Sequence, residues 1–146
     1  HATTTRAMVV AIMHRMEGSP AATAANPFSD VPAGQYYTNA VVWAQDNKIV
    51  AGFGSGKFGP GNSITREEMA AILMNYAMFK GYDVSARADL SGFGDSASVS
   101  GWAVDAMSWA VAKGLHFASD KIIRTIRTNL CILRYTWYNN PINISF

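Results

Sequence analysis

Residues 27–76 read PFSDVPAGQYYTNAVVWAQDNKIVAGFGSGKFGPGNSITREEMAAILMNY, and this stretch decides the fold. Two prolines keep its opening, PFSDVP, extended. Tyr37 to Asp46 reads as a short helix with Ala40, Val41, Trp43 and Ala44 on its apolar side. Residues 52–61 hold five glycines and read as a loop, with Phe53 and Phe58 to pin it and glycines to give the backbone a tight path. Thr65 then opens a longer helix. Thr65 and Glu68 are spaced as a capping box, in which the hydroxyl accepts from the amide three residues on and the carboxylate reaches back to the cap amide. Met69, Ile72, Leu73, Tyr76 and Phe79 form the stripe to be buried, and Gly81 stops the helix.

Pieces of this unit recur on both sides. Upstream, Thr5-Arg6-Ala7-Met8 opens a helix as Thr65-Arg66 does sixty residues later. Met8 stands where the box needs Glu, so this copy has the weaker cap. Downstream, Phe93-Gly94-Asp95 and the run from Gly101 to Ala110 restate Phe28-Ser29-Asp30 and the run from Gln35 to Ala44, sixty-five and sixty-six residues on. Repetition at such a spacing implies units that bury their apolar faces against one another. The predicted organisation is the C-terminal half of a first copy plus a linker over 1–26, a complete copy over 27–88, and a third copy over 89–146 with a divergent C-terminal half. The chain opens inside a copy, which reads as a piece of a longer protein.

Helices are expected over Thr5–Glu17, Tyr37–Asp46, Thr65–Lys80 and Trp102–Lys113, giving a mainly α fold of short helix pairs joined by long glycine-bearing loops. The helices at Thr5 and Thr65 are expected at the centre, with those at Tyr37 and Trp102 packed outside them. After Gly114 the pattern breaks: Cys131 and Ile132 stand where the repeat calls for Thr and Arg, and no glycine loop precedes them. A reading-frame error or an abrupt gene end would explain that tail.

Composition narrows the function. The chain has 146 residues, 49% hydrophobic, with a formal charge of +2. That is enough for one core, and too little charge for a nucleic-acid partner. No apolar run suits membrane insertion. One cysteine excludes an internal disulfide. His1, His14 and His116 have no ligand spacing, so no metal and no cofactor is expected. The glycine loop lacks the ending of a nucleotide-binding P-loop. Glu67 and Glu68, adjacent on a helix, point about 100° apart and cannot flank one glycosidic bond, so no enzyme activity is expected.

FSDV, the Tyr36-Tyr37 helix start, GFGSGKFGPGNSITREE and TTTRAM together resemble the S-layer homology domain, over roughly residues 3–115. The resemblance implies a non-catalytic module that anchors exported bacterial proteins to the cell envelope, outside the cell. It implies repeats set about a helical bundle, with grooves that bind an acidic, often pyruvylated, secondary cell-wall polysaccharide. Carried over by position, the groove arginines are Arg66 and Arg6, following Thr65 and Thr5. The opening acids are Asp30 and Asp95, and the helix aromatics are Trp43 and Trp109. Further domains of a parent protein are the other implied partners. Two other readings stay open: a fragment of a carbohydrate-active enzyme whose catalytic domain lies elsewhere, or a self-assembly segment of a surface layer.

Each candidate also has a plainer reading. A guanidinium at a helix start suits a carboxylate, because the fork binds both oxygens and the helix end adds amides and dipole. It could equally pair with a neighbour such as Glu67. Trp43, Trp102, Trp109, Tyr36 and Tyr37 could stack on sugars or pack in the core. Asp30 and Asp95 could brace the opening turn or bind hydroxyls. Gly54 and Lys57 could form a backbone wall and a second cation, or simply be solvated.

Overall fold

A computed structural model describes residues 4–115. Among the described residues there are four helices: α1 (Arg6–Met16), α2 (Thr38–Asp46), α3 (Arg66–Phe79) and α4 (Val104–Ala112). Single 3-10 turns at Ser96–Ser98 and Gly101–Ala103 lead into α4. Among the described residues there is no strand, only an isolated antiparallel bridge between Thr5 and Ser63. The fold is mainly α, as the periodicity indicates. The expected tail geometry, and positions 1, 116, 131 and 132, lie outside the described residues.

Caps set the helix limits. Thr65 and Glu68 form the complete box, with Glu68 N donating to Thr65 Oγ1 at 3.1 Å and Thr65 N to Glu68 Oε2 at 2.9 Å. Thr5 accepts only from Met8 N, at 3.3 Å. Gly18, Gly81 and Gly114 follow α1, α3 and α4 with positive φ, the left-handed stop that glycine adopts without strain.

The packing differs from the expected centre-and-periphery arrangement. α1 packs on α2, and α3 packs on α4, so each helix opened by a threonine pairs with the short helix of the following copy. The short helices are core elements: Val41, Ala44, Trp109 and Ala110 are fully buried. Their alanines, Ala40 and Ala44 in α2 and Ala106 and Ala110 in α4, are all buried in one shared apolar cluster. Small side chains permit close approach of backbones, which draws these helices inward.

α1 and α3 run in the same direction, joined at both ends. At their N-termini the Thr5–Ser63 bridge is extended by Ile64 N donating to Thr4 O at 3.0 Å. At their C-termini, Glu17 accepts from Lys80 Nζ at 3.0 Å and from the Tyr76 hydroxyl. Trp43 of α2 contacts both, with its ring 5.3 Å from His14 and 5.6 Å from Phe79.

Candidate functional site

The two arginines that open α1 and α3 share a motif position and meet opposite surroundings. Arg6 is 4% exposed. Its Nη1 binds Glu68 Oε1 at 2.8 Å, Nε donates to Phe58 O at 2.9 Å, and Nη2 donates to Ala51 O at 3.0 Å. The guanidinium carbon lies 4.3 Å from the centre of the Phe53 ring and 4.7 Å from that of Phe58, within cation–π range. Burial pulls its pKa down while Glu68 holds it up. The backbone at this end is occupied too: Arg6 N donates to Asn62 O at 3.0 Å and Ala7 N to Pro60 O at 3.2 Å. Glu68 therefore closes the α3 cap with one oxygen and holds Arg6 with the other.

This corrects the expectation of an open fork at position 6. Arg6 lies in the wall of a cleft, but its charge is paired with Glu68 and each of its three nitrogens donates to the protein. Thr5 likewise serves as a cap.

Arg66 is exposed. Among the described residues no ion pair or hydrogen bond engages its guanidinium, and none engages the amides of Arg66 and Glu67. It lines a cleft of about 570 Å³ together with Thr65, Glu67, Phe93, Asp95, Ser98 and Leu115. The cleft lies between the start of α3, the segment before α4, and α4 itself. Glu67 is turned to structural use, accepting from Ser100 N at 2.7 Å. Glu67 and Glu68 thus serve separate partners. Thr65, Arg66 and Asp95 are the candidates that the fold brings together.

The other candidates are placed elsewhere. Trp43 and Trp109, 5% and 0% exposed, line neither this cleft nor the smaller one described below. Trp43 is flanked by the buried Val42 and Ala44, and Trp109 by the buried Ser108 and Ala110, so the indoles go to the core. Gly54, with φ +87°, and Lys57 form an exposed turn in which Lys57 N donates to Gly54 O at 3.1 Å, outside both clefts.

Asp30 braces the glycine loop. Its two oxygens accept from Phe58 N and Gly59 N, each at 2.8 Å. Desolvation works to raise its pKa. The two amides, with help from Lys57, more than offset this and hold the carboxyl below the usual range. A depressed folded pKa gives stability that is complete above the ordinary Asp value of about 3.9 and is lost as pH falls through the lower folded value. Asp30→Asn should therefore flatten the loss of stability in that acid window. At neutral pH it should cost about 1–3 kcal/mol, because one loop amide loses its acceptor. Urea midpoints at neutral and acid pH test both parts. An equally steep acid dependence in the variant would reject the assignment.

Gly52 shows how tightly this loop is wound. An added Cβ would sit 2.5 Å from Lys57 O and 2.7 Å from Phe28 Cε1. Asp95, one repeat on from Asp30, is exposed and faces the larger cleft instead of clasping a loop.

A smaller cleft, about 240 Å³, lies beside the glycine loop and includes Arg6, Phe53, Glu68, Asn75 and Trp102. Trp102 and Phe53 are 63% and 56% exposed. Sequence reasoning placed Trp102 among general stacking candidates but could not join it to Phe53, because the two are brought together only by the packing of one copy on the next.

Comparison with known proteins gives a family match: residues 27–70 fit the model of the S-layer homology domain. The chain is 33% identical over 93 residues to the surface-layer 125 kDa protein of Lysinibacillus sphaericus, covering 64% of this chain. It is 36% identical over 114 residues to the amylopullulanase of Thermoanaerobacterium thermosulfurigenes, and 33% identical over 114 to exoglucanase XynX of Acetivibrio thermocellus, each covering 77% of this chain. The aligned parts span 8%, 6% and 10% of those relatives, respectively. No solved structure matches the chain significantly.

Proposed function

Residues 27–70 belong to the S-layer homology family, and from that premise we propose that this chain is an anchoring module that holds an acidic cell-wall glycan at the bacterial surface, without turnover. Arg66 is the residue that grips the acid. One observation carries this reading: the chain contains its own template. At the same motif position Arg6 binds a carboxylate, Glu68, at 2.8 Å. Arg66 repeats that fork beside an open cleft, with no carboxylate paired to it among the described residues. The amides of Arg66 and Glu67 add donors at a helix N-terminus, where an anion is favoured. By the repeat spacing, the position answering to Glu68 in the third copy is Arg134, so the sequence supplies no acid there either.

Asp95 and Ser98 sit in the same cleft and suit sugar hydroxyls, while Phe93 and Leu115 give it an apolar wall. A polymer that engages more than one such site gains from effective concentration. No described helix is long and apolar enough to cross a membrane, and binding to a wall polymer requires none.

Two of the relatives carry the names of glycan-cleaving enzymes and one that of a surface-layer protein. That favours a role as the attached module of a larger enzyme or layer protein, with any catalysis outside these residues. The test is sedimentation of the chain with purified cell-wall sacculi, before and after extraction of the acidic polymer. Extraction should abolish binding. Arg66→Ala should weaken it by roughly tenfold or more, as expected for loss of a charge-assisted pair, while its urea midpoint stays unchanged. Binding by Arg66→Ala equal to that of the parent chain would remove the basis of the proposal.

A further inference from the structure

We propose that the cleft at the start of α3 is a docking seat for a glycine loop and helix start carried by another polypeptide, a segment of the kind that residues 52–68 form in this chain. The proposal does not rest on glycan binding. A loop and a glycan would meet the same Arg66, so the cleft takes one at a time.

One such seat is filled within the chain itself. The glycine loop of the complete copy lies between two walls. The first is the opening segment of its own copy. There the Phe28 ring lies 5.5 Å from that of Phe58, Ser29 N donates to Gly56 O at 2.8 Å, and Asp30 accepts from Phe58 N and Gly59 N at 2.8 Å each. The second is the start of α1. Arg6 N donates to Asn62 O at 3.0 Å, Ala7 N to Pro60 O at 3.2 Å, and Arg6 Nε to Phe58 O at 2.9 Å. Glu68, just past the loop, completes the grip by pairing with Arg6.

The same two walls stand one repeat on. Phe93, Gly94 and Asp95 answer to Phe28, Ser29 and Asp30, and Arg66 answers to Arg6. Phe93, Asp95 and Arg66 line one cleft of about 570 Å³. Phe28 is 7% exposed, whereas Phe93 is 45% exposed. Arg6 is buried and Arg66 exposed; Asp30 is half-buried and Asp95 exposed. The three groups that grip the loop in one place are uncovered together in the other. One shared partner accounts for all three.

Charge complementarity names the occupant. The cleft carries a cation, Arg66, and an acid, Asp95. A partner that satisfies both brings a carboxylate for the fork and adjacent N–H donors for the acid, with a ring for Phe93. Glu68, the amides of Phe58 and Gly59, and the Phe58 ring bring that set to Arg6, Asp30 and Phe28. The path also needs glycine, since Gly59 turns with φ +69°. Residues 115–146 contain no glycine, and Arg134 stands where the carboxylate is needed. A second copy of this chain has its own loop held by Asp30 and Arg6. The occupant is therefore a different polypeptide.

The test titrates the nitrogen-labelled full chain with a synthetic peptide that copies residues 52–81. The amides of Gly94 and Asp95 and the Arg66 Nε signal should shift saturably. Phe58→Ala in the peptide should weaken binding by roughly tenfold. Glu68→Gln in the peptide should do the same while still closing the capping box. Phe93→Ala in the chain should cost as much, with the urea midpoint of the parent. The proposal is overturned if no shift saturates, or if the Phe58→Ala peptide binds as the parent peptide does. Shifts confined to Ser29 and Asp30 would mean that the peptide displaces the chain's own loop, and would overturn it too. So would the same Gly94 and Asp95 shifts on concentrating the chain alone, which would give the cleft to a second copy. Sacculus sedimentation reads out the glycan proposal separately, so either result can fail alone.

Discussion

Arg6→Ala should destabilise the chain by about 3–5 kcal/mol, the cost of removing one partner from a buried ion pair. The size follows from what the guanidinium leaves behind. Glu68, with its side chain 14% exposed, would lose its countercharge. The carbonyls of Phe58 and Ala51 would lose their donors. Phe53 and Phe58 would lose the cation packed on their faces. Against the 5–15 kcal/mol that domains usually have, this is a large share. Urea unfolding followed by far-ultraviolet circular dichroism measures it. Glu68→Gln supplies the control, since glutamine still closes a capping box. The pair Arg6→Ala with Glu68→Gln should be less damaged than the sum of the singles, by about 0.5–3 kcal/mol of coupling. Additive losses would mean that the bridge holds nothing.

Phe58→Ala should cost a similar amount, about 3–5 kcal/mol, for a different reason. Phe58 is fully buried. Its ring sits 5.5 Å from that of Phe28 and beneath Arg6. Its carbonyl accepts from Arg6 and its amide donates to Asp30. Truncation removes the transfer energy of the ring and leaves a cavity that the glycine loop cannot refill, because Gly52 already lies against Lys57 O and Phe28. Thermal unfolding monitors the loss. Phe58→Leu should recover most of it, since leucine keeps much of the apolar volume. A truncation costing less than about 1 kcal/mol would show that the loop collapses freely onto the space.

The helices were legible because their signals are local. Thr65 and Glu68 stand three residues apart, and the structure closes the box that this spacing predicts. Glycines at 18, 81 and 114 mark stops that the backbone confirms. The candidate site was legible only in part. A threonine-arginine pair reads the same at 5–6 and at 65–66, yet one arginine is buried and the other open. The difference lies sixty-two residues from Arg6, in the second oxygen of Glu68. The capping box accounted for that residue, so its further duty gave no sign. Helix pairing was hidden for the same reason. An alanine-rich face such as that of α2 tells how closely a partner can come, but not which copy supplies it. Asp30 carried two readings in the sequence, and Phe58 and Gly59 place it as a brace.

Arg6 is locked by Glu68 of the following copy, and each long helix leans on the short helix that follows it. The pairing of helices therefore runs across the repeat read from the sequence and not within it. The complete copy excised at its sequence borders would carry Arg66 and Glu68 two residues apart, with Glu68 deprived of the Arg6 that the preceding copy supplies. Trimming the chain from its start through Arg6 would leave Glu68 as a half-lock without its mate.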